Sequence, residues 1–199
     1  MGCPAPHSDG SGVKWFVTFI DDCTRMTWLY LMKHKNEVFQ IFQVFHKMVQ
    51  TQFSKKIRVL HSDNGREYIN HQFQKYFQQH GLQHETSCSY TPQQNGVSER
   101  KNRHILETAR ALLTEAKVPK RYWTDAICTS VYLINRLPSR ALNYQTPLQV
   151  LASYTPLPSL LMLPPRVFGS IVYVHIPKIH YTKLDPCAIK CVFLGYGNQ

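Results

Sequence analysis

The sequence predicts an α/β domain built in layers. Three observations carry that prediction. Short β-branched and aromatic runs come first in the chain, amphipathic helical periods then alternate with further short apolar runs, and the composition is globular. The 199 residues are 43% hydrophobic and 12% aromatic, with no low-complexity tract and no internal repeat. That length suits one sizeable domain and a small appendage.

The elements follow in order. "WFVTFIDD" (15–22) reads as a buried strand ending in acids, and "TWLYLMK" (27–33) reads as its hairpin partner across "DCTR". "NEVFQIFQVFHKMVQTQF" places Val38, Phe42, Phe45 and Val49 at helical spacing, with Ile41 and Met48 beside them. "IRVL" (57–60) is a short buried strand. "NHQFQKYFQQHG" predicts a helix capped by Asn70, with Phe73, Tyr76 and Phe77 on its apolar side and Gly81 ending it. "LQHET" is another short strand, and "SYTPQQNG" is a polar loop.

A long helix is expected from about residue 97 to 117, with Ile105, Leu106, Ala109, Leu112, Leu113 and Ala116 as its apolar stripe. Pro119 suits the first turn of the next helix, which carries Trp123, Ala126, Ile127, Val131 and Ile134 and stops before Pro138. Prolines 147, 156, 158, 164 and 165 then mark a change of character. Beyond them "RVFGSIVYVHIPK" and "CVFLGYG" read as strands of a small β module, too short for an independent core. The expected division is a main domain at 1–150, a proline-rich linker at 151–164 and a partial β-barrel-like module at 165–199.

Charge narrows the partners. Lys plus Arg is 23 against 12 for Asp plus Glu, a formal net charge of +11. A polyanion such as nucleic acid or an anionic membrane fits that balance. No run of about 18 apolar residues exists to span a bilayer. The N-terminal "MGCPAPHSDGSG" lacks the apolar core of a signal peptide, and Pro6 stands where a myristoylation signal needs Ser or Thr. The six cysteines are scattered without a CxxC, and Cys187 and Cys191 form one isolated CxxxC, so reduced thiols are expected.

Two stretches carry chemistry. In "IRVLHSDNGREY" the carboxylate of Asp63 stands where a buried strand breaks into a turn. Asp-Asn-Gly alone is ordinary turn chemistry. In "TPQQNGVSERKN", however, Glu99 stands just inside the start of the long helix. A strand, crossover helix and returning strand fit between the two acids, so they can face one another. Two facing carboxylates are hard oxygen donors of the kind Mg²⁺ takes. On a basic fold, that points to phosphoryl transfer on nucleic acid.

"HSDNGREY" followed by "YTPQQNGVSERKNR" resembles the second and third acidic motifs of retroviral-type integrases. "FVTFIDDCTRMTWLYLMK" and "KLDPCAIKCVFLGYG" resemble the copia-type retrotransposon branch in particular. The resemblance implies an RNase H-like fold, a mixed five-stranded sheet flanked by helices. It implies metal-dependent polynucleotidyl transfer, comprising DNA 3′-end processing and strand transfer, with Asp63 and Glu99 as catalytic metal ligands. It also implies two Mg²⁺ or Mn²⁺ ions held by three carboxylates, and no small-molecule cofactor. The implied partners are retroelement ends and target DNA, bound by a homo-multimer, with no membrane. The implied site of action is the nucleus, with a cytoplasmic particle before it.

By the same resemblance Asn95 and Arg103 are DNA-binding candidates, and "GCPAP" corresponds to the turn after the first strand. The first catalytic Asp is then expected just before Met1. Asp21 and Asp22 are expected to be structural and Asp9 solvated. His61 is expected to bond locally, and Asn64 and Gly65 to shape the turn. Lys101 and Arg100 are expected to add to the positive field. The chain is therefore read as a polyprotein fragment lacking the first catalytic Asp, or alternatively as a non-catalytic nucleic-acid-binding remnant.

Overall fold

The computed structural model describes residues 12–63, 65, 68, 71–86, 96–158, 161, 163–183 and 185–196. Strand β1 (Trp15–Ile20) pairs antiparallel with β2 (Thr27–Met32), from Trp15 opposite Met32 to Ile20 opposite Thr27. Helix α1 (Val38–Phe53) follows a short 3₁₀ turn at 35–37. Strand β3 (Val59–Ser62) and helix α2 (His71–His80) lead to β4 (Gln83–Thr86), which lies parallel to β3. Helices α3 (Gly96–Glu115), α4 (Trp123–Ile134) and α5 (Pro147–Tyr154) come next. A final antiparallel pair joins β5 (Ile171–His175) to β6 (Ala188–Val192).

Side-chain alternation on β1 makes the layers. Val17 and Phe19 enter one core with Phe42 and Phe45 of α1 and Phe73 and Phe77 of α2. Phe16 points the other way, into a second core with Ile105 and Ala109 of α3 and Trp123, Ala126, Ile127, Val131 and Ile134 of α4. A strand buried on both faces reads as a near-continuous apolar run, as "WFVTFI" does apart from Thr18. Phe19 stacks on Phe45 with ring centroids 4.4 Å apart. This is a helix–sheet–helix sandwich, mixed α/β, as the sequence indicates.

Several local differences have plain causes. Strand β3 runs two residues further than "IRVL", because Ser62 opposite Thr86 still closes the ladder. Gly81 ends α2 at φ +65°, as its position suggests, whereas the expected cap Asn70 lies outside the described residues. Pro119 caps a 3₁₀ turn at 120–122 rather than opening α4 directly. Helix α5 was hidden among the prolines. Thr146 and Gln149 form a reciprocal capping box around it, with Pro147 in its first turn.

The expected five-stranded sheet is not one continuous ladder among the described residues. It is two pairs, β1–β2 and β3–β4, with β5–β6 separate. Among the described residues, the outer edges of β1 and β3 have no partner strand.

Two glycines fit the last segment to the helices. At Gly169 (φ +79°) a Cβ would lie 2.3 Å from the Ala116 Cβ, and at Gly195 (φ +132°) 2.4 Å from Thr129 Oγ1. Tyr196 stacks on Tyr132 of α4 with centroids 3.9 Å apart. Arg136 lies over the opposite part of this clasp, 3.3 Å from the Tyr132 ring centre.

Candidate active site

Asp63 follows the last residue of β3 and is exposed. Its Oδ1 accepts a hydrogen bond from the Gly65 N–H at 3.1 Å. Ser62 Oγ donates to the Asp63 carbonyl at 2.9 Å and lies 2.9 Å from His84 Nε2. The turn reading and the site reading of Asp63 are thus compatible, since one carboxylate oxygen shapes the turn. Burial lowers the His84 pKa below the usual histidine value. His61 behaves as the local partner expected of it. It lies directly opposite Glu85 in the parallel ladder, with Nδ1 3.2 Å from Oε2.

Glu99 is exposed in the first turn of α3, where a carboxylate suits the positive end of the helix. Three residues on, Asn102 accepts a hydrogen bond from Thr18 Oγ1 of β1 at 3.1 Å. That bond anchors the Glu99 turn to the sheet. The i, i+3 spacing from Glu99 pointed to Asn102, but sequence reasoning passed over it. Lys101, expected to add to the positive field, is partly buried on α3. Burial, and then the nearby Arg25 guanidinium, hold it below the usual lysine pKa.

Asp63 and Glu99 line one cavity of about 1050 Å³. Its walls include the unbroken runs Val17–Thr24 and Lys55–Asp63, together with Val97, Ser98 and Asn102. A strand face would contribute every second residue; an unbroken run means that the strand edge faces the space. The cavity therefore lies between those edges of β1 and β3 that have no partner strand among the described residues, with Asp63 and Glu99 on its walls.

The local acids are already occupied. Asp21 Oδ2 accepts from the Thr24 N–H at 2.9 Å and from Thr24 Oγ1 at 2.6 Å, and Asp22 pairs with Arg25. Both hold the hairpin turn. Among the described residues, no group of three or more His, Cys, Asp or Glu side chains could hold a metal ion. Arg103 is exposed on α3, while Asn95, Asn64 and Asp9 lie outside the described residues. Burial, and then Asp125, push the Cys128 thiol pKa up to about 12, which favours the protonated thiol.

Residues 3–92 match the integrase core domain, and residues 170–199 match the retroviral polymerase SH3-like domain. The chain belongs to the integrase core family, in its copia-type retrotransposon branch. It is 45% identical over 192 residues to the Retrovirus-related Pol polyprotein from transposon TNT 1-94 of Nicotiana tabacum, covering 94% of this chain and 14% of that protein. It is 43% identical over 193 residues to the corresponding polyprotein from transposon RE1 of Arabidopsis thaliana, covering 97% of this chain and 13% of that one. The integrase-like chain therefore spans about one-seventh of the length of these relatives.

Solved structures agree on the fold. The HTLV-2 integrase catalytic core domain in complex with magnesium, in a trimeric form, aligns at a TM-score of 0.52 and 17% identity, covering 68% of this chain and 82% of that one. The catalytic core domain of BIV integrase aligns at 0.52 and 17% identity, covering 69% and 85%. These likenesses are to integrase cores, and the fold is RNase H-like.

Proposed function

We propose that this integrase core acts in DNA integration by metal-dependent polynucleotidyl transfer, trimming a DNA 3′ end and joining it to target DNA. The observation that carries the proposal is the shared cavity. It takes a strand-end acid, Asp63, and a helix-start acid, Glu99, from distant parts of the sequence and sets both on its walls.

The donor set suits Mg²⁺ or Mn²⁺, since both acids are exposed carboxylates with oxygen donors to offer. Bound divalent ions would supply charge stabilisation for the attacking and leaving oxygens of an in-line displacement. The chain's own residues orient the donors. The Gly65 N–H fixes one oxygen of Asp63, and the Thr18–Asn102 bond holds the first turn of α3. Arg103 follows Glu99 by one helical turn and would meet a DNA phosphate, with Asn95 as a further DNA-contacting candidate.

The third carboxylate belongs on a strand seated between β1 and β3. Two pairs and one inserted strand make the five-stranded sheet. The proposal also carries residues 1–150 as the core, 151–164 as the linker and 165–199 as part of a β-barrel. It carries a multimer assembled on DNA ends in the nucleus. One observation favours the second reading, a nucleic-acid-binding remnant: Asp21 and Asp22, which line the same cavity, are engaged in the hairpin turn.

The test is Mn²⁺-dependent joining of a short donor duplex to plasmid DNA by two chains. One is this chain, and the other is extended at its N-terminus by a strand bearing an Asp. Asp63→Asn in each serves as the blank. Joining by the extended chain alone is expected. Joining by this chain, abolished in its blank, would mean that a local acid completes the site. No joining by a folded, DNA-binding extended chain would leave the remnant reading standing.

A further inference from the structure

A second cavity, of about 690 Å³, opens where α1 and α2 both end. It is lined by His46 and Gln50 of α1, by 54–58 of the following loop, and by His80 and Gly81 at the end of α2. Lys55, Lys56 and Arg58 bring three positive charges beside His80, and among the described residues no carboxylate lines the space. The carbonyl ends of the two helices, each worth roughly half a negative charge, offset only part of this.

The pocket is built rather than incidental. Ser54 adopts a left-handed conformation at φ 51° and turns the chain, so that Lys55–Arg58 cross the end of α1. His46 is buried, with Nδ1 2.9 Å from Tyr76 Oη and Nε2 2.9 Å from Gln50 Nε2. A neutral ring meets both partners, with Nδ1–H donating to the tyrosine and Nε2 accepting from the amide. His80 donates Nδ1–H to the Tyr76 carbonyl at 2.9 Å and stacks on that ring at 4.0 Å. That geometry leaves Nε2 of His80 as the ring nitrogen turned from the helix backbone. Lys55, Lys56 and Arg58 are all exposed and reach solvent at the rim.

We propose that this pocket is a second nucleic-acid contact, binding phosphates of a DNA backbone away from the reacting phosphodiester. It rests on the reading that the chain acts on DNA. Lys55, Lys56 and Arg58 also line the first cavity, so their loop borders both spaces, and it is parted from the acids by strand β3. The four residues of β3 span about 13 Å, with Arg58 just before its start and Asp63 just after its end. A duplex whose end is engaged at Asp63 and Glu99, or a second duplex beside it, then meets the basic loop. A site of several cations without acids suits phosphates, which carry charge but no sequence information.

The experiment measures the affinity of the full chain for a short DNA duplex across a salt series. Lys55→Ala, Lys56→Ala and Arg58→Ala are combined in one variant. Lys120→Ala, Arg121→Ala and Arg140→Ala, three exposed cations away from the pocket, are combined in another. Thermal unfolding confirms that both remain folded. The slope of log affinity against log salt falls by about 0.9 for each phosphate that the protein no longer neutralises. The pocket variant is expected to lower that slope by about 2–3, and the control by less than about 1. Equal reductions in both variants, with wild-type binding intact, would overturn the pocket and leave a diffuse positive field. A wild-type chain without DNA binding would overturn the DNA reading itself, and the pocket with it.

Discussion

The two edges of β1 are opposites. One edge is paired with β2 over six residues, and a buried amide seals that side. Asn135 of α4 accepts from the Thr27 N–H at 3.0 Å and donates to the Thr27 carbonyl at 2.7 Å. The other edge faces a cavity lined by exposed carboxylates. The difference teaches that this fold keeps its stability and its chemistry on separate sides. Buried residues such as Phe42 and Asn135 hold the sandwich together, while the exposed carboxylates Asp63 and Glu99 on the open side contribute little to it.

The comparison breaks if closed-side substitutions turn out to be mild. Phe42 is fully buried where α1, α2 and β1 meet, so Phe42→Ala should cost about 3–5 kcal/mol in chemical denaturation. Asn135→Ala strands a buried N–H and a buried carbonyl on Thr27, for a loss of about 2–3 kcal/mol by the same assay. At the far end of α4, Gly195→Ala drives a methyl into Thr129. The expected cost is about 1–3 kcal/mol, seen together with faster proteolysis near Pro164 as the Tyr132–Tyr196 stack loosens.

Acid sharpens the contrast. His46 is held below its usual pKa of 6.5, first by burial and then by the His80 charge, and burial does the same to His84. The unfolded chain therefore takes up these protons first as the pH falls through 6.5. Stability is full above that value and declines below it. Melting temperatures measured from neutral to mildly acidic pH should show the decline, and His46→Gln should flatten it. Smallest of all in stability is Asp63→Asn on the open side. The amide oxygen can still accept from Gly65, so unfolding should change by less than about 0.5 kcal/mol.

Much of this was legible in the chain. "WFVTFI" revealed a strand buried on both faces because every position is apolar or β-branched. The helical spacing of Val38, Phe42 and Phe45 revealed the face of α1 that meets the core. The acidic pair was legible because "HSDNGREY" and "YTPQQNGVSERKNR" together resemble integrase motifs, where Asp-Asn-Gly alone reads as a turn. The split of the sheet was not legible. Pairing between distant strands is a tertiary matter, and β1 reads the same whether its outer edge is covered or bare. Helix α5 was missed because its prolines drew more attention than its capping box. The anchoring role of Asn102 was missed because Thr18 lies 84 positions away.

The central claim is that Asp63 and Glu99 serve one metal site. Mn²⁺ binding to Asp63→Asn, Glu99→Gln and the double variant tests it most directly. If the two carboxylates share an ion, each single change removes most of the binding, and the double change costs little more than either alone. Effects that simply add, or a single variant that binds as the wild type does, would contradict the shared site.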